Sequence, residues 1–306
     1  MKPLASAAAV ALAVSLAAGC ASTDEPDQTD DSRMPVTAAF YPLQFVAERV
    51  GGDQVEVTSL TKPGAEPHDL ELTPKAVASL AESRAVLYLA DFQPAVQEAV
   101  RTQAQDAAVD VSPAARLLPD VGRGEGEEGE GLAGMDPHFW LDPTRLAEVS
   151  TAVGEDFARR DPDNAAAYRA NAEALVADLE ALDEEFRTGL AQCASRDLVT
   201  AHTAFAYLAD RFDLTQEGVA GVDPDVEPDA ASLQELTARV RETGVTTVYT
   251  ETLLSPELAE TVAREAGVAV AVLDPLEGLT EASAGKDYLE VMRANLRTLR
   301  EGQGCT

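Results

Sequence analysis

Histidine is scarce in this chain: three in 306 residues, each in its own frame, Glu66-Pro67-His68-Asp69, Asp136-Pro137-His138-Phe139-Trp140 and Thr200-Ala201-His202-Thr203. Three imidazoles this far apart rule out a local finger and leave a site that only the fold can assemble, or three unrelated surface and core residues. Cations are also few, 23 Lys and Arg against 54 Asp and Glu for a formal charge of -31, which excludes nucleic acid as a partner because phosphate binding needs clustered positive charge. Most of those carboxylates read as solvated surface, and their summed field favours the approach of cations. After the N-terminal segment no apolar run is long enough to cross a bilayer. There is no His-Glu-x-x-His helix and no Gly-x-Ser-x-Gly elbow, the signatures of zinc proteases and of serine hydrolases.

Tryptophan occurs once and cysteine three times, at positions 20, 193 and 305. The first cysteine closes an export signal: Met1-Lys2 is a short positive start, an Ala/Val/Leu stretch follows, and Ala17-Ala18-Gly19-Cys20 carries the small residues of a cleavage site. Cleavage before Cys20 resembles lipoprotein processing and makes Cys20 a lipidation site; a plain secretory signal over 1–19 is the alternative. Residues 20–34, with no large apolar side chain before Met34, read as a tether that has nothing to bury. With Cys20 assigned to lipid, Cys193 and Cys305 remain as an even pair in an oxidising compartment, and a disulfide between them is expected.

The full sequence is 45% hydrophobic in composition, and the chain beyond the N-terminal segment is long enough for two domains. Short Val- and Leu-rich runs at 36–40, 55–60 and 85–90 read as buried strands, with helices at 43–50 and 74–82 between them. A second set repeats the pattern, with strands at 198–201, 246–250 and 268–273 and helices at 233–242, 256–266 and 286–300. Alternation of this kind implies an α/β fold in which each lobe is a parallel sheet flanked by helices. Between the sets, 162–192 has no internal proline and places Tyr168, Leu175, Leu179, Leu182 and Phe186 at helical spacing. Such a helix would be about 45 Å long, suited to joining two lobes. The expected organisation is a first lobe over 35–160, a linking helix over 161–192 and a second lobe over 193–306. Residues 120–134, rich in Gly and Glu, stand outside the pattern as a loop, either a plain solvated insertion or a weak collector of cations next to His138.

On this map His68 follows the loop after the second strand, His138 follows the acidic loop and His202 lies at the carboxyl end of a strand, where open α/β sheets gather ligands. His68 and His138 come from the first lobe and His202 from the second. Asp274, at the end of the last strand in Leu273-Asp274-Pro275-Leu276, is a candidate fourth ligand, although an Asp before proline is also a common turn element.

Several motifs in order now carry a resemblance: Pro63-Gly64-Ala65-Glu66-Pro67-His68, Asp136-Pro137-His138-Phe139-Trp140-Leu141-Asp142-Pro143, Tyr168 with Asn171, His202 with Phe205 and Tyr207, Glu251, Leu273-Asp274-Pro275-Leu276, and Tyr288 with Met292 and Asn295. Over nearly everything from Pro35 to Leu299 the chain resembles the zinc/manganese solute-binding receptors of bacterial ABC importers, which have two lobes joined by a rigid helix. The resemblance implies a non-enzymatic, monomeric, extracytoplasmic receptor that serves a membrane permease, with a metallochaperone as a further partner. It implies His68, His138, His202 and Asp274 as metal ligands and Glu251 as the group that holds a ligand histidine. Two departures stand out. The loop before the second histidine is acidic where zinc receptors often carry histidines, and 87–94 lacks the glycine and glutamate usual there. Three imidazoles and a carboxylate suit Zn(II), with Mn(II) as the alternative cargo. Outside this class, the competing readings are a zinc hydrolase, with an open coordination position and Glu251 as base, and an adhesin in which the metal is a staple.

Overall fold

The computed structural model describes residues 33–120, 134–224 and 228–306. The expected lipidation site Cys20, the expected tether up to residue 32 and nearly all of the acidic segment 120–134 therefore lie outside the described residues.

Two four-stranded sheets, both wholly parallel, form the frame. In the first, β1 (Met34–Ala38), β2 (Val55–Ser59), β3 (Ala85–Tyr88) and β4 (Ala108–Asp110) run in the order β2-β1-β3-β4. In the second, β5 (Asp197–Thr200), β6 (Thr215–Gly218), β7 (Thr247–Thr250) and β8 (Ala269–Val272) run in the order β6-β5-β7-β8. Each order reverses direction once, between β1 and β3 and between β5 and β7, which makes two topological switch points. The six strands read from the sequence are present, with ends that differ from the reading by at most two residues. β4 and β6 were not anticipated: β4 has only three residues, and β6 is the polar run Thr-Gln-Glu-Gly.

The connecting helices are α1 (Tyr41–Gly51), α2 (Pro74–Ser79), α3 (Pro94–Gln103) and the single turn α4 (Ser112–Ala115) in the first lobe. In the second they are α7 (Ala206–Phe212), α8 (Ala230–Thr243), α9 (Glu257–Ala266) and α10 (Tyr288–Gly302). Thr73 caps α2 by accepting the Ala76 N–H at 3.2 Å, with Pro74 at the first helical position.

Between the sheets run two helices, α5 (Pro143–Arg160) and α6 (Ala165–Gly189), packed on each other. α6 begins three residues later than the sequence suggests, because Pro162–Asn164 forms a 3-10 turn. Its apolar stripe Tyr168, Ala172, Leu175, Leu179, Leu182 and Phe186 is buried throughout, at the three- and four-residue steps of one helix face. Gly154 lets α5 approach: a Cβ there would stand 2.7 Å from that of Ala172.

α6 also holds both lobes. On the first side Asn171 Nδ2 donates to the Val50 carbonyl at 3.0 Å and Arg49 pairs with Asp178 at 2.6 Å. On the second, Arg211 pairs with Asp183 at 2.7 Å and Arg293 with Glu185 at 2.9 Å. One large core cluster runs through both sheets and these helices, and a smaller one lies under α8 and α9. Cys193, just beyond α6, is bonded to Cys305, closing a sequence separation of 112. No helix among the described residues is long and apolar enough to cross a membrane.

Candidate metal centre between the two sheets

His68 lies on the loop after β2. Its N–H donates to Glu66 Oε2 at 2.9 Å, and Gln93 Nε2 donates to the Pro67 carbonyl at 2.9 Å. Its ring sits edge-on to Phe92, centroids 4.9 Å apart. Phe92 in turn meets Phe40 at 5.2 Å, so the switch point of the first sheet is filled by aromatic rings.

His138 precedes a 3-10 turn, Phe139–Leu141, that leads into α5, whose first turn is capped by Asp142 accepting the Thr144 N–H at 2.8 Å. Asp136 Oδ1 takes both the His138 N–H at 2.9 Å and Nδ1 at 2.7 Å. Glu251 does the same for the third histidine at the switch point of the second sheet. Its Oε1 lies 2.8 Å from His202 Nδ1 and accepts the His202 N–H at 3.1 Å. With Nδ1–H fixed on a carboxylate, His138 and His202 each turn Nε2 into the space between the sheets, the arrangement that sets the tautomer of metal-binding imidazoles.

The fourth group is Glu277. One ligand atom from each of His68, His138, His202 and Glu277 lies within 4.8 Å of the others. Glu277 Oε1 stands 2.9 Å from His138 Nε2, 3.2 Å from His68 Nε2 and 3.5 Å from His202 Nε2, while its Oε2 and His202 Nε2 have no hydrogen-bond partner. Three of the four side chains are fully buried, and His68 alone keeps an edge towards solvent.

Asp274 is not in this group, which corrects the sequence expectation. Its oxygens are committed elsewhere: Oδ1 accepts the Leu276 N–H at 2.8 Å and Oδ2 accepts the Ser283 hydroxyl at 3.0 Å. Asn295 clasps its backbone from α10, accepting the Asp274 N–H at 3.0 Å and donating to its carbonyl at 2.7 Å. The turn passes through Leu276 in the left-handed region, φ 60°, and delivers Glu277 three residues later. Trp140 Nε1 fixes the same turn by donating to the Pro275 carbonyl at 2.7 Å. Aspartate at the strand end looked right by position. The signal for Glu277 was the longer acid just beyond the Asp-Pro turn, and its burial is visible only in three dimensions.

The electrostatics are those of a cation site. Burial pushes His138 down, yet Asp136 and Glu277 outweigh it and its pKa is pushed up to about 9. Burial likewise opposes charge on His202, and Glu251 with Glu277 carries it well above the ordinary value. Burial pushes Glu277 up, but the three histidines hold it well below the usual carboxylate range. Buried carboxylates from three segments thus hold positive charge at the cluster, and a divalent ion supplies such charge with better geometry than protons do.

Comparison with known proteins agrees with this arrangement. The chain is 34% identical over 281 residues to the zinc-binding lipoprotein AdcA of Streptococcus pneumoniae serotype 4, covering 89% of this chain and 56% of the relative. It thus spans about half the length of that group of curated relatives. It is 32% identical over 296 residues to the high-affinity zinc uptake system protein ZnuA of Bacillus subtilis, covering 93% and 92%. Among solved structures, the laminin-binding protein of Streptococcus agalactiae, described as a bifunctional protein with adhesin and metal transporting activity, superposes with a TM-score of 0.79 at 29% identity, over 88% of this chain and 99% of that one. The Zn(II)-bound ZnuA-like domain of S. pneumoniae AdcA gives 0.74 at 32% identity, over 89% and 99%. The sequence model for the periplasmic zinc-uptake complex component A matches residues 36–302, a span that takes in both sheets, the helix pair between them and all four clustered side chains, and the chain belongs to that family.

Proposed function

We propose that this protein is an extracytoplasmic receptor that takes up Zn(II) between its two lobes through His68, His138, His202 and Glu277 and passes it to the membrane permease of an ABC importer. The observation that carries the reading is the cluster itself, four donor atoms within 4.8 Å contributed by loops of both sheets. Three imidazoles and one carboxylate are the borderline-soft, four-donor set that Zn(II) favours; Mn(II) prefers more oxygen. Asp136 and Glu251 orient His138 and His202. Glu277 is what separates a carrier from a hydrolase: a catalytic zinc keeps one position for water, and here a protein carboxylate stands at the fourth corner. Family membership supports export, and Cys20 supplies a lipid anchor on the outer face of the cell membrane.

The test is metal analysis of protein purified without chelator, followed by competitive titration with zinc and manganese. One zinc per chain is expected, with zinc held more tightly than manganese. Substoichiometric zinc, or a preference for manganese, overturns the reading.

A further inference from the structure

The ring of Tyr207 is 1% exposed, and its hydroxyl bridges two strands of chain that it does not belong to. It accepts the Leu118 N–H at 2.7 Å and donates to the Asp136 carbonyl at 2.6 Å. Leu118 and Asp136 are themselves joined, the Asp136 N–H donating to the Leu118 carbonyl at 2.9 Å. Asp136 is therefore held at its N–H, its C=O and its carboxylate, and the carboxylate is the group that grips His138 at both the backbone N–H and Nδ1. The plane of the Tyr207 ring is set from a third side by the Arg145 guanidinium of α5, 4.9 Å from its centroid. Tyr207 opens α7, five residues after His202. Its hydroxyl thus connects the segment that carries one histidine of the cluster to the residue that aims another.

We infer that Tyr207 is a positioning residue of the metal centre: its hydroxyl fixes the Asp136 peptide and so keeps His138 in register with His202 across the two lobes. The inference rests on reading the cluster as a zinc site. Removing the hydroxyl leaves a part-buried N–H and a buried C=O without this partner and loosens the hold on the Asp136 peptide, while the ring still fills its place. Partners of this outer kind hold ligand geometry tightly enough that their loss costs about 10–100-fold in metal affinity.

The test compares Tyr207→Phe with Tyr168→Phe, which loses a hydroxyl bond of similar length, 2.7 Å to Asp161, at the start of α6 and away from the cluster. Zinc release to excess chelator should be about 10-fold or more faster in Tyr207→Phe and unchanged in Tyr168→Phe. The visible absorption of the cobalt-substituted protein should change in the first variant only. In the wild type, zinc should slow hydrogen exchange at the Leu118 amide, since coupling between the bond and the metal is reciprocal; this measurement holds even where Tyr207→Phe does not fold. Wild-type release and cobalt absorption in Tyr207→Phe, equal acceleration in both variants, or Leu118 exchange indifferent to zinc overturns the positioning role. Failure of the wild type to bind zinc at all overturns the site as well, so the two ideas fail separately.

Discussion

Glu277 and Asp274 sit three residues apart and do different work. Glu277 puts a carboxylate among three imidazoles, whereas Asp274 uses both of its oxygens to shape the turn that brings Glu277 there. Glu277→Gln keeps the volume and removes the charge, and is expected above all to weaken zinc binding, by about 100-fold or more. Asp274→Asn should show the opposite balance, a loss of about 1–3 kcal/mol from weakened buried hydrogen bonds and a smaller effect on zinc. Competitive titration and urea melts of the two variants check this, and equal zinc affinities would remove Glu277 from the ligand set. The histidines were legible because imidazoles are rare here and each stands in a motif of its own. Glu277 was not, because nothing in a string of letters says that Asp274 is already engaged by Leu276 and Ser283, or that Leu276 adopts a left-handed conformation.

At the scale of elements, the six strands rich in Val and Leu could be read from the sequence, whereas β6 could not, because its residues look like a loop and only the ladder with β5 makes it a strand. α5 was not anticipated, although Asp142-Pro143 is a helix start in the N-cap and N1 sense. What ties α6 to the second lobe is a small charge network. Burial pushes the Asp183 carboxyl up, but Arg211 from α7 and Arg187 from the next turn of α6 outweigh it and hold it below the ordinary value of 3.8. A folded-state value below the unfolded one means that the stabilisation is complete above the ordinary carboxylate range and disappears as pH falls through the folded-state value. Asp183→Asn should therefore cost about 1.5–3 kcal/mol at neutral pH, the range for hydrogen bonds to charged groups. The gap between variant and wild type should begin to close as pH falls through about 3.8, where the unfolded aspartate takes up its proton, and vanish below the folded-state value. Urea midpoints across pH 2–7 measure it, and a gap that does not change with pH would contradict the assignment.

For the whole molecule, the disulfide is the one covalent tie between the end of the spine helix and the C-terminus. It closes a separation of 112 residues that contains the entire second sheet. Closing a loop of roughly 100 residues constrains the unfolded chain by up to about 4.7 kcal/mol in the chain-entropy picture, and natural bridges are commonly worth about 2–5. The double variant Cys193→Ser, Cys305→Ser should lower the stability of the second lobe within that range and leave zinc stoichiometry at its wild-type value, since neither cysteine approaches the cluster. Urea unfolding together with metal analysis checks both halves of this expectation; loss of bound zinc under native conditions would show that the bridge also shapes the site.

The donors that meet at Glu277 Oε1 come from segments as much as 209 positions apart, His68 being the most distant. A chain lengthening from its N-terminus holds all three imidazoles before the carboxylate exists, and only two of them, His68 and His138, belong to the first lobe. A chain that ends before Glu277 therefore lacks the full donor set, in contrast to short motifs whose ligands lie within one loop and bind as soon as they are made. The complete four-donor site, and with it the selectivity that four donors give, exists only where both lobes are in place, so it samples the metals of the compartment in which the chain folds.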